Sequence, residues 1–156
     1  YDRYLRREEA LSYAERQGML IFESERGDCF HCHALPLGRD NSFHNIGLDS
    51  MFSGDERGRF IVTGDSADLG KFMTPGLRNI ALSPPYMHDG RFATLREVIE
   101  HYNTGVKDND YLDPIMTKNG GIGLNLKKEE IDHLIAFLNT LTDTTFLNTP
   151  KHGSPF

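Results

Sequence analysis

The chain has 156 residues, enough for one domain with a core of its own, and a formal net charge of −6 from 17 basic and 23 acidic side chains. Such a surface argues against nucleic acid and favours basic or weakly charged protein partners. No apolar run approaches the length of a membrane span, and Met19, Leu20, Ile21 and Phe22 form about the longest.

The chain opens at Tyr1 without a methionine, so a processed or truncated product is expected. Residues 2–10 are charged and read as the end of a linker or of an upstream helix. Ser12-x-x-Glu15 is a capping box, which starts a helix at about Tyr13. That helix carries Gly18, where a glycine costs about 1 kcal/mol against alanine. A second helix crossing closely there would explain it, and the alternative is a helix that frays at Gly18.

Cys29-Phe30-His31-Cys32-His33 follows. Two cysteines separated by two residues, with a histidine next, is the attachment pattern of a c-type haem. The thiols add across the two porphyrin vinyls, and His33 then sits under the iron as proximal ligand. A redox dithiol, half of a zinc site and chance are the competing readings. The zinc reading lacks a second cysteine pair, and the dithiol reading leaves His33 unexplained. Haem attachment of this type is expected outside the bacterial cytoplasm.

Residues 34–75 show no long period and are punctuated by glycines, as expected of a loop wrapped on a ligand. Thr94-x-x-Glu97 is a second capping box, opening a helix with Leu95, Val98, Ile99 and Tyr102 on one face. The last helix is expected from about Lys127 to Leu141, with Ile131, Leu134, Ile135 and Leu138 aligned. No strand is convincing, so the expected class is all-α. His31, His44, His101, His133 and His152 read as ordinary polar residues.

The run from Phe72 to Asn79 (FMTPGLRN), followed by Pro85 to Gly90 (PYMHDG), resembles the signature of bacterial di-haem cytochrome c peroxidases and their MauG relatives. The resemblance extends through FHNIGL at 43–48 and VTGD at 62–65 to FLNTLT at 137–142. It corresponds to the C-terminal half of those proteins. It implies a cytochrome c-like domain over 12–156 with one covalently bound haem c and long haem-wrapping loops. Residues 1–11 would then end an interdomain linker. The N-terminal peroxidatic haem domain has no counterpart here, in keeping with a single Cys-x-x-Cys-His and no tryptophan.

Carried over by position, the resemblance makes Cys29 and Cys32 the thioether anchors and His33 the proximal ligand. The sixth ligand lies fourteen residues past the histidine of His-Asp-Gly, which gives Tyr102, a tyrosine as in the MauG type. Met116 is the alternative ligand, ahead of Met87 and Met73. The backbone carbonyls of Ser83 and Pro85 would hold a calcium ion shared with the missing half. Arg59 and Arg78 would meet haem propionates, with surface salt bridges as the alternative. In cytochrome c folds the first and last helices cross, and Gly18 is expected to meet the last helix near Leu134 and Phe137. The departures from the family pattern are Met73 in place of a lysine, Gly76 in place of a serine or threonine, and Lys127 in place of a serine or threonine cap.

The implied function is electron transfer within a di-haem peroxidase that reduces hydrogen peroxide, fed by a small periplasmic donor such as a cytochrome c or cupredoxin. The alternatives are a MauG-like oxidase of a protein or organic substrate and a free-standing mono-haem carrier. The N-terminal haem domain is the expected partner, and a homodimer is compatible with the resemblance.

Overall fold

The computed structural model describes residues 1–36, 38–118 and 121–153, apart from the side chains of Lys118, Leu147 and His152. Of the sequence expectations, the one for His152 therefore lies outside the described residues. In chain order the helices are α1 (Asp2–Leu5), α2 (Tyr13–Phe22), α3 (Phe60–Thr63), α4 (Leu95–Glu100), α5 (Lys128–Asn139) and α6 (Thr144–Leu147).

The frame is the crossing of α2 and α5. Ser12 starts α2 through a complete capping box: its hydroxyl accepts from the Glu15 N–H, and the Glu15 carboxylate accepts from the Ser12 N–H at 2.7 Å. Helix α5 turns Ile131, Leu134, Phe137 and Leu138 inward. The two meet at Gly18, where an added Cβ would lie 2.0 Å from the His133 carbonyl oxygen and 2.8 Å from the Phe137 Cβ. Only a residue without a side chain allows that approach, so the glycine is explained by the crossing expected beside Leu134 and Phe137. Next to it Phe22 packs on Phe137 with ring centroids 5.3 Å apart, both fully buried.

Helix α5 begins one residue later than expected, with Lys127 at the cap position. Lysine offers no acceptor there, and the end is held from inside the helix: Glu130 accepts the Lys127 N–H at 2.7 Å. The same carboxylate receives the fork of Arg26, whose NH groups also reach the carbonyls of Leu124 and Asn125. The turn after α2 is thereby fastened to the start of α5. At the other end the Tyr1 ring stands edge-on to Phe137, and its backbone nitrogen donates to the Thr140 carbonyl.

Thr94 caps α4 with the second complete box. Leu95 and Ile99 are buried, as the period predicts, but the regular helix stops at Glu100. His101–Gly105 continues as a wider π-type turn.

The all-α expectation is corrected by two antiparallel ladders. Strand β1 (Phe43–His44) pairs with β2 (Phe72–Met73), placing Phe43 opposite Met73 and His44 opposite Phe72. Strand β3 (Thr117–Lys118) pairs with β4 (Gly121–Ile122). A two-residue strand has no alternation to read, and β1 and β2 are far apart in the chain, so the sequence carries no signal for them. The fold is mainly helical but mixed.

The long stretch between the motif and Pro75 is fixed by its backbone. Four successive carbonyls are each taken by a donor from the later part of the chain. Asn45 O accepts from the Asp113 N–H at 3.0 Å and Gly47 O from the Lys107 N–H at 2.7 Å. Ile46 O accepts from His101 Nε2 at 3.0 Å and Leu48 O from the Arg91 guanidinium at 3.0 Å. Arg91 then spans to the carboxylates of Asp49 and Asp89, both at 2.6 Å. Buried backbone acceptors need partners, and here the second half of the chain supplies them.

Candidate functional site

Asp28 takes a left-handed backbone (φ 58°) and delivers the chain into one tight turn, Cys29–His31. Neither cysteine is in a disulfide, and both are half-buried. The Cys29 thiol donates to the Gly27 carbonyl at 3.2 Å. Burial pushes the Cys32 thiol up to about 11, and the carboxylates of Asp40, Asp113 and Asp28 push the same way. A reactive dithiol needs a depressed thiol in electropositive surroundings, and the setting of Cys32 is the reverse.

The His33 ring is held in one orientation. Burial lowers its pKa, against the opposing carbonyls of Gly38 and Pro75 and the charge of Asp40, so the ring is neutral. Its Nδ1 lies 2.8 Å from the Gly38 carbonyl oxygen. A carbonyl only accepts, so Nδ1 carries the proton and the Nε2 lone pair is left for a metal. Ligating histidines typically donate their other N–H to such a partner.

Tyr102 comes to the same place from the far side of the sequence. It lies in the π-type turn after α4, a geometry common at functional sites. Its backbone is fixed by the Leu124 N–H, which donates to the Tyr102 carbonyl at 3.1 Å. Burial pushes its phenol up, and Cys32 and Cys29 are close enough to add to the rise. Among the described residues no group donates to or accepts from the Tyr102 hydroxyl. Two thiols, a neutral imidazole with its Nδ1 proton engaged and a phenol with no hydrogen-bond partner among the described residues are a donor set that fits a c-type haem.

Met116 is half-buried at the end of the short turn Pro114–Met116, which Asp113 caps. Met87 has a left-handed backbone and Met73 is half exposed in β2.

The two arginines are engaged with carboxylates. Arg59 pairs with Asp68 at 3.0 Å and lies over the Phe43 ring at 4.4 Å. Arg78 pairs with Asp2 at 2.6 Å and Asp143 at 3.5 Å. Ser83 and Pro85 follow the short turn Ile80–Leu82, and no described group donates to either carbonyl. His88 of the His-Asp-Gly run stacks on Phe72 at 3.6 Å between centroids and lies 2.9 Å from the Glu56 carboxylate.

Two histidines read as ordinary polar residues are not. His101 is buried, with its ring on the Ile46 carbonyl. His44 is clamped between two carboxylates, with Nδ1 2.6 Å from Asp113 and Nε2 2.8 Å from Asp40. Asp40, four residues before His44, is the part of this clamp the sequence could have shown. The ligand atoms of Cys32, Asp40 and His44 lie within 4.8 Å of one another. As a metal site this group is closed, because both ring nitrogens of His44 are already occupied.

No protein-family model matches the chain. Curated relatives include cytochrome-c peroxidase IdrP2 of Denitromonas iodatirespirans, 30% identical over 90% of this chain and 43% of its own length. Methylamine utilization protein MauG of Methylophilus methylotrophus is 33% identical over 86% of this chain and 38% of its own. Among solved structures, a MauG-like protein associated with microbial copper homeostasis is similar with a TM-score of 0.86 and 36% identity, over 99% of this chain and 55% of that one. The chain therefore spans less than half the length of these curated relatives.

Proposed function

Because the chain belongs to the family of bacterial di-haem cytochrome c peroxidases and MauG proteins, we propose that it is the electron-transfer half of such an oxidoreductase. In this reading residues 12–156 form the haem domain and residues 1–11 end the linker to a peroxidatic haem domain. A haem c bound here would supply a one-electron iron couple. Cys29 and Cys32 would anchor it covalently, and His33 and Tyr102 would hold its iron.

What supports the reading is the Tyr102 hydroxyl, which has no hydrogen-bond partner among the described residues and lies near enough to Cys32 and Cys29 for them to add to the rise of its pKa. With His33 and Tyr102 both holding the haem iron, the group would be closed to peroxide and would serve to pass electrons. Reduction of peroxide would belong to the partner domain, and the donor would be a small periplasmic redox protein. Arg59 and Arg78 would meet propionates only by leaving Asp68 and Asp2. Calcium at Ser83 and Pro85 would need a ligand from the other half.

A second reading, a MauG-like oxidase of a protein or organic substrate, is favoured by tyrosine rather than methionine at 102. A phenolate is a hard anionic donor, so it favours ferric iron and lowers the potential. The test is a pyridine haemochrome spectrum of the chain made in a haem-attaching host, with the potential of the bound haem. A spectrum of doubly thioether-linked haem supports the reading, and a chain that takes up no covalent haem overturns it. A low potential favours the oxidase over the peroxidase. A second Cys-x-x-Cys-His upstream in the full-length protein would exclude a free-standing carrier.

A further inference from the structure

His44 has a geometry that dictates its charge. Carboxylates only accept, and each ring nitrogen of His44 faces one: Nδ1 faces Asp113 at 2.6 Å and Nε2 faces Asp40 at 2.8 Å. Both nitrogens must therefore carry protons. All three side chains are largely buried, with 16% of His44, 21% of Asp40 and 20% of Asp113 exposed. Burial alone would lower the imidazole pKa, but the two carboxylates outweigh it and raise it. Asp40 is held down at about 2, its burial outweighed by the Ser42 N–H, His44 and Thr74.

The clamp joins the two loops that matter to the site. Asp40 lies two residues past Gly38, whose carbonyl takes the Nδ1 proton of His33. Asp113 opens the short turn that ends at Met116, its other oxygen accepting the Ile115 N–H at 3.0 Å and its own N–H reaching the Asn45 carbonyl. The group also lies at the Cys32 sulfur. The titratable groups facing His44 are thus Asp40, Asp113 and Cys32, with His33 close enough to feel its charge.

We propose that His44 is a positioning residue for His33: as an imidazolium locked between Asp40 and Asp113, it fixes the Gly38 loop that orients His33 and sets the local charge at the Cys32 attachment point. This inference rests on the haem reading above. The clamp carries a net charge of about −1, from two carboxylates and one imidazolium. Removing the cation leaves two uncompensated negative charges, whereas neutralising Asp113 leaves none. Negative charge near an iron favours its ferric form and lowers its potential.

The test uses the haem-loaded chain at pH 5.5, where the cation is retained, and compares the potentials of His44→Gln and Asp113→Asn with the parent. The expected result is a fall for His44→Gln and a rise for Asp113→Asn, although both break the clamp. A merely structural role would move both in one direction, and that outcome, or no shift in either, overturns the proposal. Nitrogen-15 NMR of the parent imidazole provides an arm that needs no variant to fold. Protons on both nitrogens of His44 from pH 5 to 7 are expected, and a neutral ring at pH 7 overturns the proposal. Failure to load haem at all would instead refute the haem reading, and the NMR arm would still decide the clamp.

Discussion

His101 donates from Nε2 to the carbonyl of Ile46 at 3.0 Å, joining positions 55 residues apart. The ring is buried, 5% exposed, and no described group other than His101 reaches that carbonyl. Replacing His101 by leucine should keep the volume and orphan the oxygen. The expected cost is about 1–3 kcal/mol in urea unfolding, with His101→Gln costing less because a donor survives. Equal stability of parent and leucine variant would show that the bond contributes nothing.

Gly18 allows no Cβ against the His133 carbonyl. Gly18→Ala should therefore destabilise despite the better helix propensity of alanine, by at least about 1–3 kcal/mol. Thermal melts of the two proteins suffice, and a higher melting temperature for alanine would put the helix crossing elsewhere.

On the proposed haem attachment, replacing Cys29 or Cys32 by serine would leave one thioether and should weaken haem binding, and the double replacement should abolish it. The measure is haem retained after acid–acetone extraction. Full retention by the double variant would refute both anchors.

Tyr102 and Met116 can be separated by spin state. Tyr102→Phe should convert a six-coordinate haem to a high-spin form that binds added cyanide or imidazole, while Met116→Leu should leave the spectrum unchanged. Tyr102→Met should raise the potential. The reverse pattern, with only Met116→Leu changing the spectrum, would give the ligand role to Met116.

Glu130 makes stability depend on pH. Hydrogen bonding to Arg26, helped by the Lys127 N–H and opposed by burial, holds its carboxyl at about 2, against 4.5 ordinarily. A depressed folded-state value means the unfolded chain binds the proton more readily. The contribution is therefore complete above about pH 4.5 and is lost as pH falls towards 2. Arg26 is 41% exposed, so solvent screening limits the ion pair to about 1 kcal/mol. Arg26→Met should lower stability at pH 7 and converge with the parent near pH 2 in denaturant titrations.

What was legible in the sequence was local. Ser12 with Glu15 and Thr94 with Glu97 are three residues apart, and each forms the box its spacing implies. The inward face of α5 follows from its period. The pairing of Phe43 with Met73 was not legible, because two-residue ladders leave no pattern. The clamp on His44 shows the boundary most clearly: Asp40 is one helical turn away in sequence, but Asp113 is 69 residues away. Nor does anything in the spacing announce that the helix from Leu95 widens at His101 and carries Tyr102 round with it.

The four consecutive carbonyls from Asn45 to Leu48, each bound to a different later residue, have an evolutionary consequence. They divide the chain into stretches with very different tolerance for length change. An inserted residue between 45 and 48 would shift every subsequent acceptor out of register and orphan several at once. The stretch around α3 is another matter, since Val62 is 88% exposed and Ile61 half exposed. Lengthening a loop there adds only a logarithmic closure penalty, about 0.6 kcal/mol per doubling. Homologues should therefore vary in length around residues 60–66 and keep the 45–48 spacing fixed, and a tag or small domain grafted onto this chain belongs at the former.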